Sequence, residues 1–207
     1  MLHQKQETIP SIDKDLTDWH RGRRDYAVWL IEAGQEEIRN RVAAAKEHLS
    51  GYLLEPYRRQ PHLTLFVCGF LADTRCFDDD YSACQLRVQT QSLRDAKVPP
   101  FFIEIGGLNS FSSAPFLEVN DLEGGINRVR TALSAAAKEI GRTAFTPHVT
   151  VGLYSGAFSS AVVARKIAAF PAKPVACRVE RITFASYEAQ EFAGALTYRS
   201  EVALLAE

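Results

Sequence analysis

The chain has 207 residues, with 24 basic and 25 acidic side chains and a formal net charge of −1. It is 46% hydrophobic and 24% charged, the balance of an ordinary globular protein, which excludes a disordered chain, a collagen-like chain and a disulfide miniprotein. Charge so near zero also argues against a broadly basic nucleic-acid binder, while leaving room for local basic patches.

Residues 1–24 read as a polar leader ending in the basic stretch Arg21, Arg23 and Arg24. It lacks the apolar core and small-residue cleavage site of a secretory signal. No stretch approaches the apolar length of a membrane span, so the expected location is cytoplasmic with no membrane partner. A strand is predicted over 26–31. Ile38, Val42, Ala45 and Leu49 then recur at helical spacing over 35–49, and Gly51 and Pro56 break the chain. A compact apolar strand follows over His62–Leu71. Asp78, Asp79 and Asp80 are placed to cap a helix running to about residue 96. Two strands, 101–108 and 115–119, are joined by the turn-rich loop 109–113. A helix over 122–140 has Gly141 as its C-cap. A strand over 148–154, a short helix over 159–170, and strands over 175–187 and 197–205 complete the chain.

Strand, helix, strand, helix, strand thus occurs in each half. This implies an α+β, duplicated, two-lobed architecture in which residues 25–207 form a single bilobal domain. The lobe boundary falls near 98–120, and the last strands can cross between lobes. Four cysteines, Cys68, Cys76, Cys84 and Cys177, form no C-x-x-C pair and no ligand cluster. They read as reduced, mostly buried thiols, and no metal site is expected.

Two of the five histidines stand in nearly the same sentence: Pro61-His62-Leu63-Thr64-Leu65 and Pro147-His148-Val149-Thr150-Val151. Each opens a predicted strand. Because strand side chains alternate, His62 and Thr64 share one face, as do His148 and Thr150, while the intervening apolar residues point to the core. A histidine from each lobe suits general acid–base catalysis near neutral pH. The threonine hydroxyls suit donation to the oxygens of a phosphoryl group gathering charge. One His-x-Thr is a weak signal, but two with matching prolines are not.

The paired motif resembles the 2H phosphoesterase superfamily, which includes 2′-5′ RNA ligase-like proteins and cyclic nucleotide phosphodiesterases. The likeness runs from about residue 26 to the C-terminus and leaves the leader outside. It implies a duplicated α+β fold with antiparallel-rich sheets lining a central cleft and helices outside. It also implies a metal-independent, cofactor-free phosphoesterase that hydrolyses a 2′,3′-cyclic phosphate or related phosphodiester of a nucleotide or RNA end. His62 and His148 match the catalytic histidines, and Thr64 and Thr150 the phosphate-binding hydroxyls. The segment after the second motif, Gly152-Leu153-Tyr154, lacks the arginine common in the bacterial ligase-like subgroup. Alternatives are a nucleotide- or RNA-end-binding module without turnover, and an RNA 2′-5′ ligase or 3′-end trimming activity. The chain is expected to be a monomer.

Three further residues are candidates for substrate contact. Phe66 shares parity with His62 and Thr64, and could floor the cleft or be a core aromatic. Tyr154 shares parity with His148, and could touch substrate or simply end the strand. Arg58, together with Arg59 just before the first motif, could approach a phosphate or an RNA strand, or the two could be a solvated charge pair.

Overall fold

The computed structural model describes residues 2, 5–11, 16–141 and 144–205. Over these the elements are α1 (Thr17–His20), β1 (Asp25–Glu32), α2 (Glu36–His48), β2 (His62–Leu71), β3 (Asp80–Tyr81) and α3 (Ala83–Asp95). There follow β4 (Phe101–Ser110), β5 (Pro115–Asp121), α4 (Gly125–Ala136), β6 (His148–Thr150), α5 (Ser160–Ala168), β7 (Val175–Val179), β8 (Arg181–Glu188) and β9 (Leu196–Ala203).

The strands form two half-barrel sheets, ordered β3-β2-β1-β8-β9 and β6-β5-β4-β7. Apart from the two-residue β2–β3 pair, every named pairing is antiparallel. Helices α3 and α4 pack together and reach β9 and β2, while α2 and α5 pack on β4. The α+β, two-sheet arrangement expected from the repeated element order is therefore what the chain adopts. The segment 175–187, predicted as one strand, is instead divided at Glu180. It leaves the four-stranded sheet as β7 and enters the five-stranded sheet as β8, beside β1.

Alternation decides which strand faces stay dry. Leu63 and Leu65 of β2 and Val149 of β6 are fully buried. They belong to one continuous core that draws on both sheets and on α2, α3 and α4. Inside it, fully buried Gln89 accepts hydrogen bonds from Trp29 Nε1 at 2.9 Å and Tyr81 OH at 2.5 Å. Its own amide donates to Leu133 O at 3.0 Å. Gln89→Leu would strand two buried donors, so stability should fall by about 3 kcal/mol, read from the urea midpoint.

Several boundaries differ from the sequence reading, each for a local reason. The acidic triplet does not cap α3. Ser82 and Gln85 form a reciprocal capping box there, while Asp79 and Asp80 bind Arg23. Helix α4 ends at Ala136 rather than near 140, because Ala137 is extended and the following residues are drawn onto β2. Arg130 donates to Leu65 O and pairs with Glu139 at 2.9 Å. Val67 N donates to Glu139 Oε1 at 3.2 Å, and Ile140 N donates to Val67 O at 3.0 Å. These contacts satisfy the edge of β2 that the short β3 leaves open. Cys68 and Cys177 are buried as expected, but Cys76 and Cys84 are exposed, and all four are free thiols.

Candidate active site

Both motif strands begin with the same device. A residue preceding proline is driven to extended backbone. In Gln60-Pro61-His62 and Thr146-Pro147-His148 the carbonyl of that residue lies 2.7 Å from the imidazole Nδ1 in each case. A carbonyl can only accept, so Nδ1 carries the proton in both rings and the neutral imidazole holds its lone pair on Nε2. Gln60 is itself fixed: its side chain donates to Leu196 O at 3.1 Å and accepts from Leu196 N at 2.7 Å. His148 is held by aromatic walls instead, with Phe111 at 5.0 Å in an edge contact and Phe116 at 5.3 Å between ring centroids.

The strands β2 and β6 adjoin where the sheets meet, with Cα atoms within 8 Å of one another. His62, Thr64, His148 and Thr150 consequently line one cleft of about 330 Å³. Each of the four is only partly buried, and Thr64 and Thr150 each stand between fully buried neighbours. Burial pushes the His62 pKa down to about 4, opposed by its bond to Gln60 and reinforced by Arg59 and His148. At neutral pH His62 is therefore an unprotonated imidazole, the form a general base requires. No group of three or more His, Cys, Asp or Glu side chains that could hold a metal ion occurs among the described residues.

The three weaker candidates are not brought to this cleft. Phe66 is fully buried in the core. Its parity fails because β2 bulges: Leu30 pairs with Thr64 but Trp29 with Phe66, leaving Leu65 as the extra residue. The bulge turns Phe66 to the core face and returns Val67 to the other. Tyr154 is also fully buried, its hydroxyl 2.6 Å from Ser110 Oγ. Strand β6 stops at Thr150, so strand parity no longer governs position 154. Arg58 is exposed and ion-paired with Glu191. Its neighbour Arg59 lines the cleft instead, its guanidinium 3.9 Å from the Tyr187 ring centroid and its Nε donating to Gly194 O at 3.2 Å.

Sequence reasoning also missed Gln60, Phe111, Tyr187, Leu16 and Trp19, the last four of which line the cleft. Gln60 and Phe111 flank the motifs in sequence or across a hairpin and could have been found by asking what holds each imidazole. Tyr187 arrives from β8, and Leu16 and Trp19 from the leader, none of which carries a signal of its own.

Two half-barrels that each contribute a proline-set His-x-Thr strand to a shared cleft define the 2H phosphoesterase class of fold. The profile of the 2′-5′ RNA ligase superfamily matches residues 34–191, and the chain belongs to that family. Solved structures similar to it include E. coli LigT in apo form, with a TM-score of 0.61 and 16% identity over 89% of this chain and 100% of that one. LigT complexed with 3′-AMP has a TM-score of 0.60 and 17% identity, with the same coverage of 89% and 100%. TT0787 of Thermus thermophilus has a TM-score of 0.52 and 19% identity over 86% of this chain and 97% of that one. At such identities the likeness is one of fold. No curated protein matches the chain by sequence. Among the described residues no helix is long and apolar enough to cross a membrane.

The His62 environment carries a measurable pH signature. Its pKa in the fold, about 4, lies below the ordinary 6.5. Between these values the unfolded chain binds more protons than the folded one. This contribution to stability is therefore complete above about pH 6.5 and is lost as pH falls toward 4. An NMR titration should show the His62 ring titrating far below a free histidine, and inorganic phosphate in the cleft should raise its midpoint by stabilising the imidazolium. A midpoint near 6.5 without phosphate would contradict the burial of this ring.

Proposed function

We propose that the protein is a metal-independent phosphoesterase of the cyclic phosphodiesterase type, hydrolysing a 2′,3′-cyclic phosphate or related phosphodiester on a nucleotide or RNA end. The observation that carries this reading is the matched pair of imidazoles. Each has Nδ1 fixed on a backbone carbonyl and each stands on the cleft beside a threonine. His62, held neutral, takes the proton from an attacking water, and oxygen bonds to phosphorus in line with the departing ribose oxygen. His148, protonated, delivers its proton to that oxygen as the P–O bond breaks. Thr64 and Thr150 donate to the two non-bridging oxygens, where charge accumulates in the transition state. The first proton remains on His62 and the second has left His148, so one proton exchange with solvent resets the pair.

Fold relatives support a phosphate ligand, since E. coli LigT has been crystallised with 3′-AMP and with phosphate. The protein is taken to act in the cytoplasm, as a monomer. Turnover of 2′,3′-cyclic nucleotides in EDTA tests the reading. Product at a rate unaffected by the chelator is expected; stoichiometric nucleotide binding without product would mark a binding module instead.

A further inference from the structure

The family profile begins at residue 34, yet the chain before it is built into the fold at both ends. At one end, backbone N–H groups of Thr8, Ile9 and Ser11 donate to Phe158, Ser112 and Tyr154 carbonyls at 2.9, 2.7 and 2.7 Å. The hydroxyl of buried Thr8 donates to Gly156 O at 2.8 Å. All of these partners lie in the β4–β5 hairpin or just after β6, on the side of the four-stranded sheet. At the other end, Arg23 pairs with Asp79 at 2.6 Å and Asp80 at 2.7 Å, the Asp80 side chain being only 2% exposed. Its guanidinium lies 3.8 Å from the Phe70 ring centroid. Trp19 packs on Tyr26 and Phe70, with centroids at 4.9 and 5.0 Å. Those partners belong to the five-stranded sheet or to the turn leading into it. Leu16 and Trp19 thereby line the same cleft as the two His-x-Thr pairs.

We propose that Leu16 and Trp19, at the end of the leader, form a specificity wall that confines this site to a single nucleotide unit. The phosphate sits on the histidine and threonine pairs, the nucleobase lies against Leu16 and Trp19, and a continuing polynucleotide strand is shut out. The inference rests on the phosphoesterase reading for its reaction, though not for its mode of binding. Two observations favour the small substrate. The cleft, at about 330 Å³, is near the lower end of the range of small-molecule pockets. Beside the two histidines, Arg59 is the one arginine or lysine among the described residues that line it, and Glu191 lines it too. A polynucleotide backbone needs a run of cations to replace its counterions, and the cleft offers none.

The test compares a 2′,3′-cyclic mononucleotide with a short oligoribonucleotide ending in the same cyclic phosphate. Wild type should favour the mononucleotide in kcat/KM by at least about tenfold, and Trp19→Ala and Leu16→Ala should each remove most of that preference, chiefly by raising kcat/KM on the oligonucleotide that the wall no longer shuts out. Binding gives a readout that needs no turnover. The chain has two tryptophans, and the other, Trp29, is fully buried with its Nε1 donating to Gln89. Adenosine 3′-monophosphate should quench Trp19 fluorescence where inorganic phosphate does not, and Trp19→Phe should abolish the signal. Equal turnover of both substrates by wild type, or a ratio unchanged in both alanine variants, overturns the proposal. Should wild type turn over neither substrate yet show the nucleotide-specific quench, the hydrolytic reading fails and the wall stands. Loss of both would overturn both.

Discussion

His62→Ala and His148→Ala are each expected to lower kcat/KM on a 2′,3′-cyclic nucleotide by about 10²–10⁴-fold, the usual worth of one positioned acid or base. The double variant should lose little more than the worse single one, because proton removal and proton delivery serve one transition state and half of the machinery gains nothing alone. The two positions should nevertheless differ in pH behaviour. His62 has its pKa pushed to about 4 by burial, so the acid limb of kcat/KM that reports the base should lie well below pH 6.5. That limb should disappear in His62→Ala and persist in His148→Ala. Chemical denaturation of each variant separates lost chemistry from lost fold. His62 sits between fully buried Leu63 and the clamp that Gln60 makes on Leu196, so a small change in midpoint is expected and a collapse is not. Gln60→Ala, which frees the carbonyl's residue but leaves both histidines, should lower kcat more than it alters KM. Rates unchanged in both histidine variants would remove the acid–base reading altogether.

Most of the architecture is legible because periodicity carries it. The sequence pattern matches β2 to its observed ends, and α2 to within one residue at each end, because burial on one face of a long element fixes the pattern. What fails has a tertiary origin. The bulge at Leu65 comes from the pairing of β2 with β1, and it reverses Phe66 although no glycine or proline marks it. Helix α4 is cut short by the claim of β2 on Glu139 and Ile140, which no local propensity reports. The exchange of sheets falls at the adjacent charges Glu180 and Arg181, where the apolar parity shifts from Val175, Cys177 and Val179 to Ile182 and Phe184, a signal that reading 175–187 as one strand passes over. The site divides in the same way. The four motif residues announce themselves by repetition, and Arg59 by standing just before the first of them, whereas Tyr187 and Trp19 reach the cleft from elements distant in sequence or lacking a pattern. The acidic triplet shows the reverse case: a helix-capping signal is visible, but buried pairing with Arg23 competes for the carboxylates, and a capping box two residues later does the capping.

The threonines allow a sharper separation of binding from chemistry than the histidines do. Thr64→Val and Thr150→Val keep the β-branched shape that suits a strand and remove only the hydroxyl. Each position lies on a half-buried face opposite a core residue, Thr64 beside Leu65 and Thr150 beside Val149, so the sheet should tolerate the exchange. A donor aimed at oxygens that gather charge in the transition state is worth about 10²–10³ in kcat. The same donor contributes much less toward a ground-state phosphodiester, whose oxygens carry less charge, so KM and inorganic phosphate affinity should move by far less than kcat. Serine at either position restores the hydroxyl without the methyl and should recover most of the rate. Should valine at both positions leave kcat within about twofold of wild type, the threonines would be strand residues that happen to face the cleft, and stabilisation of the phosphoryl oxygens would have to come from Arg59. A KM increase with kcat intact would instead make them ground-state phosphate ligands, and the catalytic burden would then fall on the two imidazoles.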